Sequence, residues 1–199
     1  MIMLAAGNSR RFGSNKLLYP VDGVLMYRHV FDKLMQVREC FADRLSAEKP
    51  SERKITVEGL SVTVVTQYKE IYEYVCGRGA QALYNPEPDR GISSSVKIGL
   101  NANRDADAVL FCVADQPWLR METIEALIQT AVTSEKGIAC VSCDGSMGNP
   151  CLFKRKYFRE LLSLEGDKGG KKVICAHRED TAVVEISETR ELLDMDFRV

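Results

Sequence analysis

Residues 108–117 read Ala108-Val109-Leu110-Phe111-Cys112-Val113-Ala114-Asp115-Gln116-Pro117. Seven apolar residues in a row, closed by a turn signal, make a strand covered on both faces, as central strands of parallel sheets are. Asp115 then stands at its carboxyl end, where open parallel sheets bind ligands. A second run, Ile2-Met3-Leu4-Ala5-Ala6, stops at Gly7 and is read the same way.

Between and beyond these runs the pattern alternates. The turn Val21-Asp22-Gly23 leads into a helix over about 25–37, with Met26, Val30, Phe31, Leu34 and Val37 on one face. Residues 38–54 are polar and charge-rich and read as a surface connection, and 60–66 alternates as a β-branched strand. A helix is expected over about 70–76, a strand over 81–84 closed by Asn85-Pro86-Glu87-Pro88, and a serine-capped helix over 93–101. Helix 122–133 and strand 137–142 come next. Strands that alternate with helices imply a single-domain, Rossmann-like α/β fold: a doubly wound, mostly parallel sheet with right-handed crossovers.

At 199 residues the chain is long enough for one core without staples. Its 27 Lys+Arg and 28 Asp+Glu give a net charge of −1, which leaves no global field for a nucleic acid or an anionic membrane surface. No apolar run approaches the ~20 residues of a membrane span. The charge is uneven: residues 1–20 hold Arg10, Arg11 and Lys16 with no acid, and the end of the chain is acid-rich. A small anion held near the first strand is therefore expected. Seven cysteines with no zinc spacing and no secretory leader are expected to be reduced thiols in the cytoplasm; the close pair Cys140 and Cys143 is read as structural.

Two strand ends carry chemistry. After the first strand comes Leu4-Ala5-Ala6-Gly7-Asn8-Ser9-Arg10-Arg11-Phe12-Gly13-Ser14-Asn15-Lys16, in which small residues let backbone amides approach an anion and three cations can neutralise a triphosphate. It is not a Walker A loop, because five residues separate Gly7 from Gly13 and the lysine comes three later; Gly77-Arg78-Gly79 likewise lacks the third glycine of a dinucleotide fingerprint. On local residues alone a basic solvated loop stays open. At the second end, Asp115 has the chemistry to hold Mg²⁺, which takes one or two carboxylates with water and substrate phosphates, or to serve as a helix cap.

The first loop resembles the nucleotidyltransferase signature Leu-Ala-Ala-Gly-x-Ser-x-Arg-x-Gly-x-x-Lys, matched at Leu4, Ala5, Ala6, Gly7, Ser9, Arg11, Gly13 and Lys16. Three further stretches resemble the molybdenum cofactor cytidylyltransferases and related molybdenum hydroxylase accessory proteins. They are Asp115-Gln116-Pro117, Gly148-Asn149-Pro150-Cys151-Leu152-Phe153, and Leu164-Glu165-Gly166-Asp167-Lys168-Gly169-Gly170.

The resemblance implies transfer of a nucleoside monophosphate from a triphosphate to a phosphate-bearing acceptor, molybdopterin or the molybdenum cofactor, with pyrophosphate released. It implies a nucleotide part over about 1–118 and an acceptor part over about 119–199 of one domain. Arg11 and Lys16 would hold the phosphates, with the backbone of Leu4, Ala5, Ala6 and Gly7 beside the nucleotide. Asp115 would bind Mg²⁺, and by position Asp196 would be a second metal ligand. The Ala5-Ala6 pair goes with pyrimidine nucleotides in such relatives and a Gly-Gly pair with guanine, which points to CTP; the loop through Asn85, Gly91, Ser93 and Ser94 resembles the base-reading segment. Asn149 and Lys171 would meet the acceptor, and a molybdenum hydroxylase would receive the product. Relatives carry Ala-Arg where this chain has Gly170-Lys171, which keeps the charge and loses the bidentate fork. His29, His177 and Trp118 are read as structural. A non-catalytic cofactor-binding accessory protein, and a GTP-using or sugar- or alditol-phosphate nucleotidyltransferase, are the alternatives.

Overall fold

The computed structural model describes residues 1–9, 12, 15–47 and 59–195. Its strands are β1 (Ile2–Ala5), β2 (Pro20–Val21), β3 (Val24–Leu25), β4 (Thr63–Thr66), β5 (Gln81–Tyr84), β6 (Ala108–Val113), β7 (Ile138–Cys143), β8 (Ser146–Lys154) and β9 (Thr181–Glu185). The helices are α1 (Met26–Ala47), α2 (Lys69–Gly77), α3 (Ile92–Ala102), α4 (Met121–Thr133), α5 (Phe158–Leu162) and α6 (Gly170–Ala176). Seven strands form one sheet in the order β5-β4-β1-β6-β8-β7-β9, and β2 and β3 form a separate small hairpin.

The two-sided burial expected of the apolar runs is what the sheet shows. Met3 and Ala5 of β1 and Leu110 and Cys112 of β6 face one layer, where α1, α2 and α4 supply Phe31, Leu34, Ile71, Ile124 and Leu127. Ile2, Val109 and Phe111 face the other, with Val96 and Leu100 of α3, Leu161 of α5 and Val173 of α6. Alternate residues of one strand thus enter opposite cores, and a continuous apolar sequence is what a strand with two covered faces requires. Burial pushes the Cys112 thiol up to about 12, so it behaves as a core side chain. All seven cysteines are free.

Two local expectations are corrected, and the mostly parallel sheet shows where its parallel run is broken. The first helix does not end near Val37: α1 runs to Ala47, because the charged stretch after Val37 is built of good helix formers and Phe41 still packs on the core. Helix α3 has no serine cap; it starts at Ile92 after Gly91, and Ser94 Oγ donates back to Gly91 O at 2.9 Å. The sheet also has one reversed strand, for β8 pairs antiparallel with both β6 and β7. Its cause is the tight turn at Asp144-Gly145, with φ of 50° and 75°, which returns the chain directly beside β7 and leaves no room for a crossover.

The last described residues strap back across the sheet end that carries Asp115. Glu191, 1% exposed, accepts from Arg120 N at 3.2 Å, Arg120 Nε at 2.7 Å and Thr123 Oγ1 at 2.6 Å, so it serves the amino end of α4 from a distant part of the chain. Beyond it, Met195 N donates to Asp115 O at 2.9 Å, and Gln116 Nε2 donates to Leu192 O at 3.1 Å and Asp194 Oδ1 at 3.0 Å. Arg190 lies over the Trp118 ring at 4.5 Å, a packing role for the indole. Among the described residues no helix is long and apolar enough to cross a membrane.

Glu191→Ala removes three bonds at once and leaves the α4 donors to water; about 2 kcal/mol of stability should be lost, a figure at the scale of charged hydrogen bonds with one partner half exposed, and urea titration will read it. Asp180 is held down to about 2 by Lys156 and then by Tyr157, whose hydroxyl donates at 2.6 Å. A depressed carboxylate stabilises the fold above its unfolded value and loses that contribution as pH falls. Stability should therefore drop between pH about 4 and about 2, and Asp180→Asn should flatten that segment of the profile.

Candidate functional site

β1 lies between β4 and β6, parallel to both, in a register that sets Leu4 beside Val65 and Val113. Their carboxyl ends therefore open on one side, and the loops leaving them meet there. Gly7 O accepts from Tyr68 OH at 2.6 Å, and Gln67 Nε2 donates to Ala6 O at 2.9 Å and Asn8 Oδ1 at 2.8 Å. The β4 end thus pins the carbonyls of the loop after β1. Burial pushes the Tyr68 phenol up, offset by its contact with Ser9 and by the nearby Lys16 charge. Ser9, at φ 49°, folds the loop on itself: its carbonyl accepts from Phe12 N at 2.9 Å and its hydroxyl from Lys16 N at 3.1 Å.

Lys16 is carried back to the sheet by that fold. Its Nζ donates to Asp115 Oδ2 at 2.7 Å, and the side chains are 11% and 23% exposed. The two residues singled out on separate strand ends are therefore in contact, 99 positions apart in the chain. They line a cavity of about 480 Å³ together with Leu4, Ala6, Gly7 and Ser95. Arg11 and Asp196, expected respectively at the phosphates and at the metal, lie outside the described residues. A second cavity of about 470 Å³ adjoins the first, sharing Leu4, Ile92 and Asp167 in its wall, and holds Asn149, Lys171, Gln116 and Asp194.

The remaining expected residues divide by what they touch. Gly91, at φ 82°, stands on the first cavity, and a Cβ there would come within 2.5 Å of Asp167 Oδ1 and the Gly166 backbone. Only glycine satisfies both the conformation and the close approach. Asn85 is fully buried, and its amide donates to Ser94 Oγ and Ser95 Oγ, both at 2.9 Å, while its oxygen accepts from Glu87 N at 2.9 Å. Asn85 shapes the loop in this structure, and the cavity face falls to Ser95. Ser93 is also buried, with its N–H on Gly166 O at 3.1 Å. His29 sits 2.8 Å from Val21 O and His177 2.8 Å from Glu160 Oε2, both structural contacts within the fold.

Three acids escape a reading of the sequence. Asp167 stands where the two cavities meet; the stretch 164–170 resembles a segment of the relatives, but no role at the site is expected of its aspartate. Asp89 accepts from Asn8 Nδ2 at 2.8 Å across the first cavity. Asp194 reaches Gln116 through the strap, whereas sequence position favours its neighbour Asp196. No local pattern marks Asp89 or Asp194, since each is set by a contact between distant loops. Among the described residues no three His, Cys, Asp or Glu side chains group as a ready metal cage. Asp115 lines the first cavity, and Gln116, next in the chain, lines the second with a buried Oε1 that has no hydrogen-bond partner; a carboxylate at a cavity wall would suit a cation that keeps most of its water, as Mg²⁺ does.

Comparison with known proteins bears on the family and the fold. Residues 1–181 match the MobA-like NTP transferase domain. The chain is 26% identical to the purine catabolism protein PucB of Bacillus subtilis, over 98% of this chain and 90% of that one. It is 28% identical to a probable molybdenum cofactor guanylyltransferase of Pyrococcus horikoshii, over 93% and 84%. The fold is shared with Rv0371c of Mycobacterium tuberculosis at a TM-score of 0.76 and 20% identity, covering 98% of this chain and 91% of that one. With the match running from β1 to the start of β9, this chain belongs to the MobA-like NTP transferase family and is a nucleotidyltransferase.

Proposed function

We propose that the chain transfers CMP from CTP to the phosphate of molybdopterin or the molybdenum cofactor. An acceptor phosphate oxygen bonds to the α-phosphorus, the bond from that phosphorus to the β-bridging oxygen breaks, and pyrophosphate leaves. The observation that carries the reading is the contact of Lys16 with Asp115 at the mouth of one cavity, with a second cavity of equal size against it. One cavity suffices for a nucleotide, and the adjoining one for an acceptor.

No covalent intermediate is needed, so the work is positioning and charge stabilisation. In this reading the backbone from Leu4 to Gly7 cradles the nucleotide, and Lys16, with Arg11, draws the charge that grows on the departing pyrophosphate. Asp115 holds Mg²⁺, with Asp196 as the second ligand assigned by resemblance; the metal, when bound, neutralises charge at the α-phosphate. Asn149 and Lys171 face the acceptor, and a molybdenum hydroxylase is the recipient of the product.

The base is read by resemblance from the Ala5-Ala6 pair, which goes with pyrimidine nucleotides in similar proteins; of the two, Ala6 lines the first cavity and Ala5 packs in the core beneath it. A second reading, GTP in place of CTP, is favoured by the activity named for the Pyrococcus relative, a molybdenum cofactor guanylyltransferase.

Pyrophosphate release should be measured with the molybdenum cofactor and either Mg-CTP or Mg-GTP. Faster release with CTP is expected, and a preference for GTP would transfer the assignment to the second reading; no release with either would remove the activity from the chain. Asp115→Asn and Lys16→Met should each lower kcat/KM by about 10²–10³, the scale of losing one preorganised charge contact at a developing anion.

A further inference from the structure

The Lys16–Asp115 contact has a consequence for the order in which ligands are admitted. The ammonium and carboxylate are 2.7 Å apart and mostly withdrawn from water, so each meets the other's charge within the wall of the first cavity. A divalent cation that takes Asp115 must do so with Lys16 left beside it, an ammonium facing a dication at short range. A triphosphate that draws Lys16 away leaves the Asp115 carboxylate facing phosphate oxygens. Either ligand alone thus breaks a favourable contact and adds a repulsive one. The two together meet neither penalty, since the phosphates take the lysine as the cation takes the aspartate.

We infer that the Lys16–Asp115 pair couples metal and nucleotide binding, so that the chain admits the magnesium nucleotide as a unit and resists each component alone. This rests on the nucleotidyltransfer site proposed above, and it adds a property that site need not have: residues can hold a metal and a nucleotide without being each other's counter-ion. The coupling is reciprocal, because the same free energy links the two ligands in either order. It keeps the first cavity from being filled by a metal-free nucleotide, which would occupy the site without reacting.

The experiment uses the full chain with CTP and, in parallel, with GTP. Calorimetry reads nucleotide affinity with magnesium and with chelator, and electron paramagnetic resonance of free Mn²⁺ reads metal affinity with and without nucleotide. Wild-type chain should bind the metal nucleotide at least about tenfold more tightly than the free nucleotide, in the range usual for coupled sites. Lys16→Met should bind Mn²⁺ alone several-fold more tightly than the wild type. Asp115→Asn should bind metal-free nucleotide more tightly than the wild type, a gain from removing a residue of the site. Unchanged affinities in both variants, with the wild type still binding the metal nucleotide, overturn the coupling and leave the proposed function standing. A wild type that binds no nucleotide in either form overturns both. Should one variant fail to fold, shown by its melting curve, the other decides by the same comparison.

Discussion

Ala114 N donates to Leu4 O at 3.1 Å, the last rung between β1 and β6. The site depends on that rung, because it ends two adjacent parallel strands together. Beyond Leu4 the chain enters the loop to Lys16, and the residue after Ala114 is Asp115. Parallel neighbours end on the same side by geometry, so two loops nearly a hundred residues apart in sequence are brought within hydrogen-bonding reach. The strands hold their place because both faces are covered, and the burial that fixes Met3, Leu110 and Phe111 also fixes the point at which polar side chains begin.

Around this point the chain fastens its own loops. Gln67 and Tyr68 hold the carbonyls after β1, Asn85 knots the turn before α3, and Glu191 anchors the strap that reaches Asp115 O and Gln116. The contacts of Gln67, Tyr68 and Gln116 fall on backbone carbonyls, whereas Asn85 holds the Ser95 hydroxyl; Lys16, Ser95 and Asp115 all stand on the cavity wall. Function carried by loops on a rigid sheet requires such ties, since a loop without them would spend binding free energy on its own ordering. The near-zero net charge takes on a local meaning here: the charges that matter are paired at short range within the wall.

Features that depend on burial and periodicity are legible in the sequence. The edge strand at 81–84 is legible from the turn signal Asn85-Pro86 that closes it, and β6 is legible to within one residue because a covered strand is an unbroken apolar run. Asp115 is legible for the same reason, as the first polar residue after such a run. The length of α1 is not, for its second half is charged and a solvated helix face looks like a loop in composition. The reversal of β8 is present as Asp144-Gly145 between two apolar runs, a hairpin signal that the alternation of strands and helices obscures. Asp89 and Asp194 are defined by the residues that lie across from them, and no spacing within the chain encodes that.

The proposed function makes Lys16 and Asp115 one reactive centre for a magnesium nucleotide. A crystal structure of the chain with Mg²⁺ and a CTP analogue whose α,β-bridging oxygen is replaced by carbon tests this most directly. Lys16 Nζ is predicted to leave Asp115 for the phosphate oxygens and the Asp115 carboxylate to turn to the metal, with the base toward Ser95. A nucleotide bound elsewhere, with Lys16 and Asp115 still 2.7 Å apart, would contradict it.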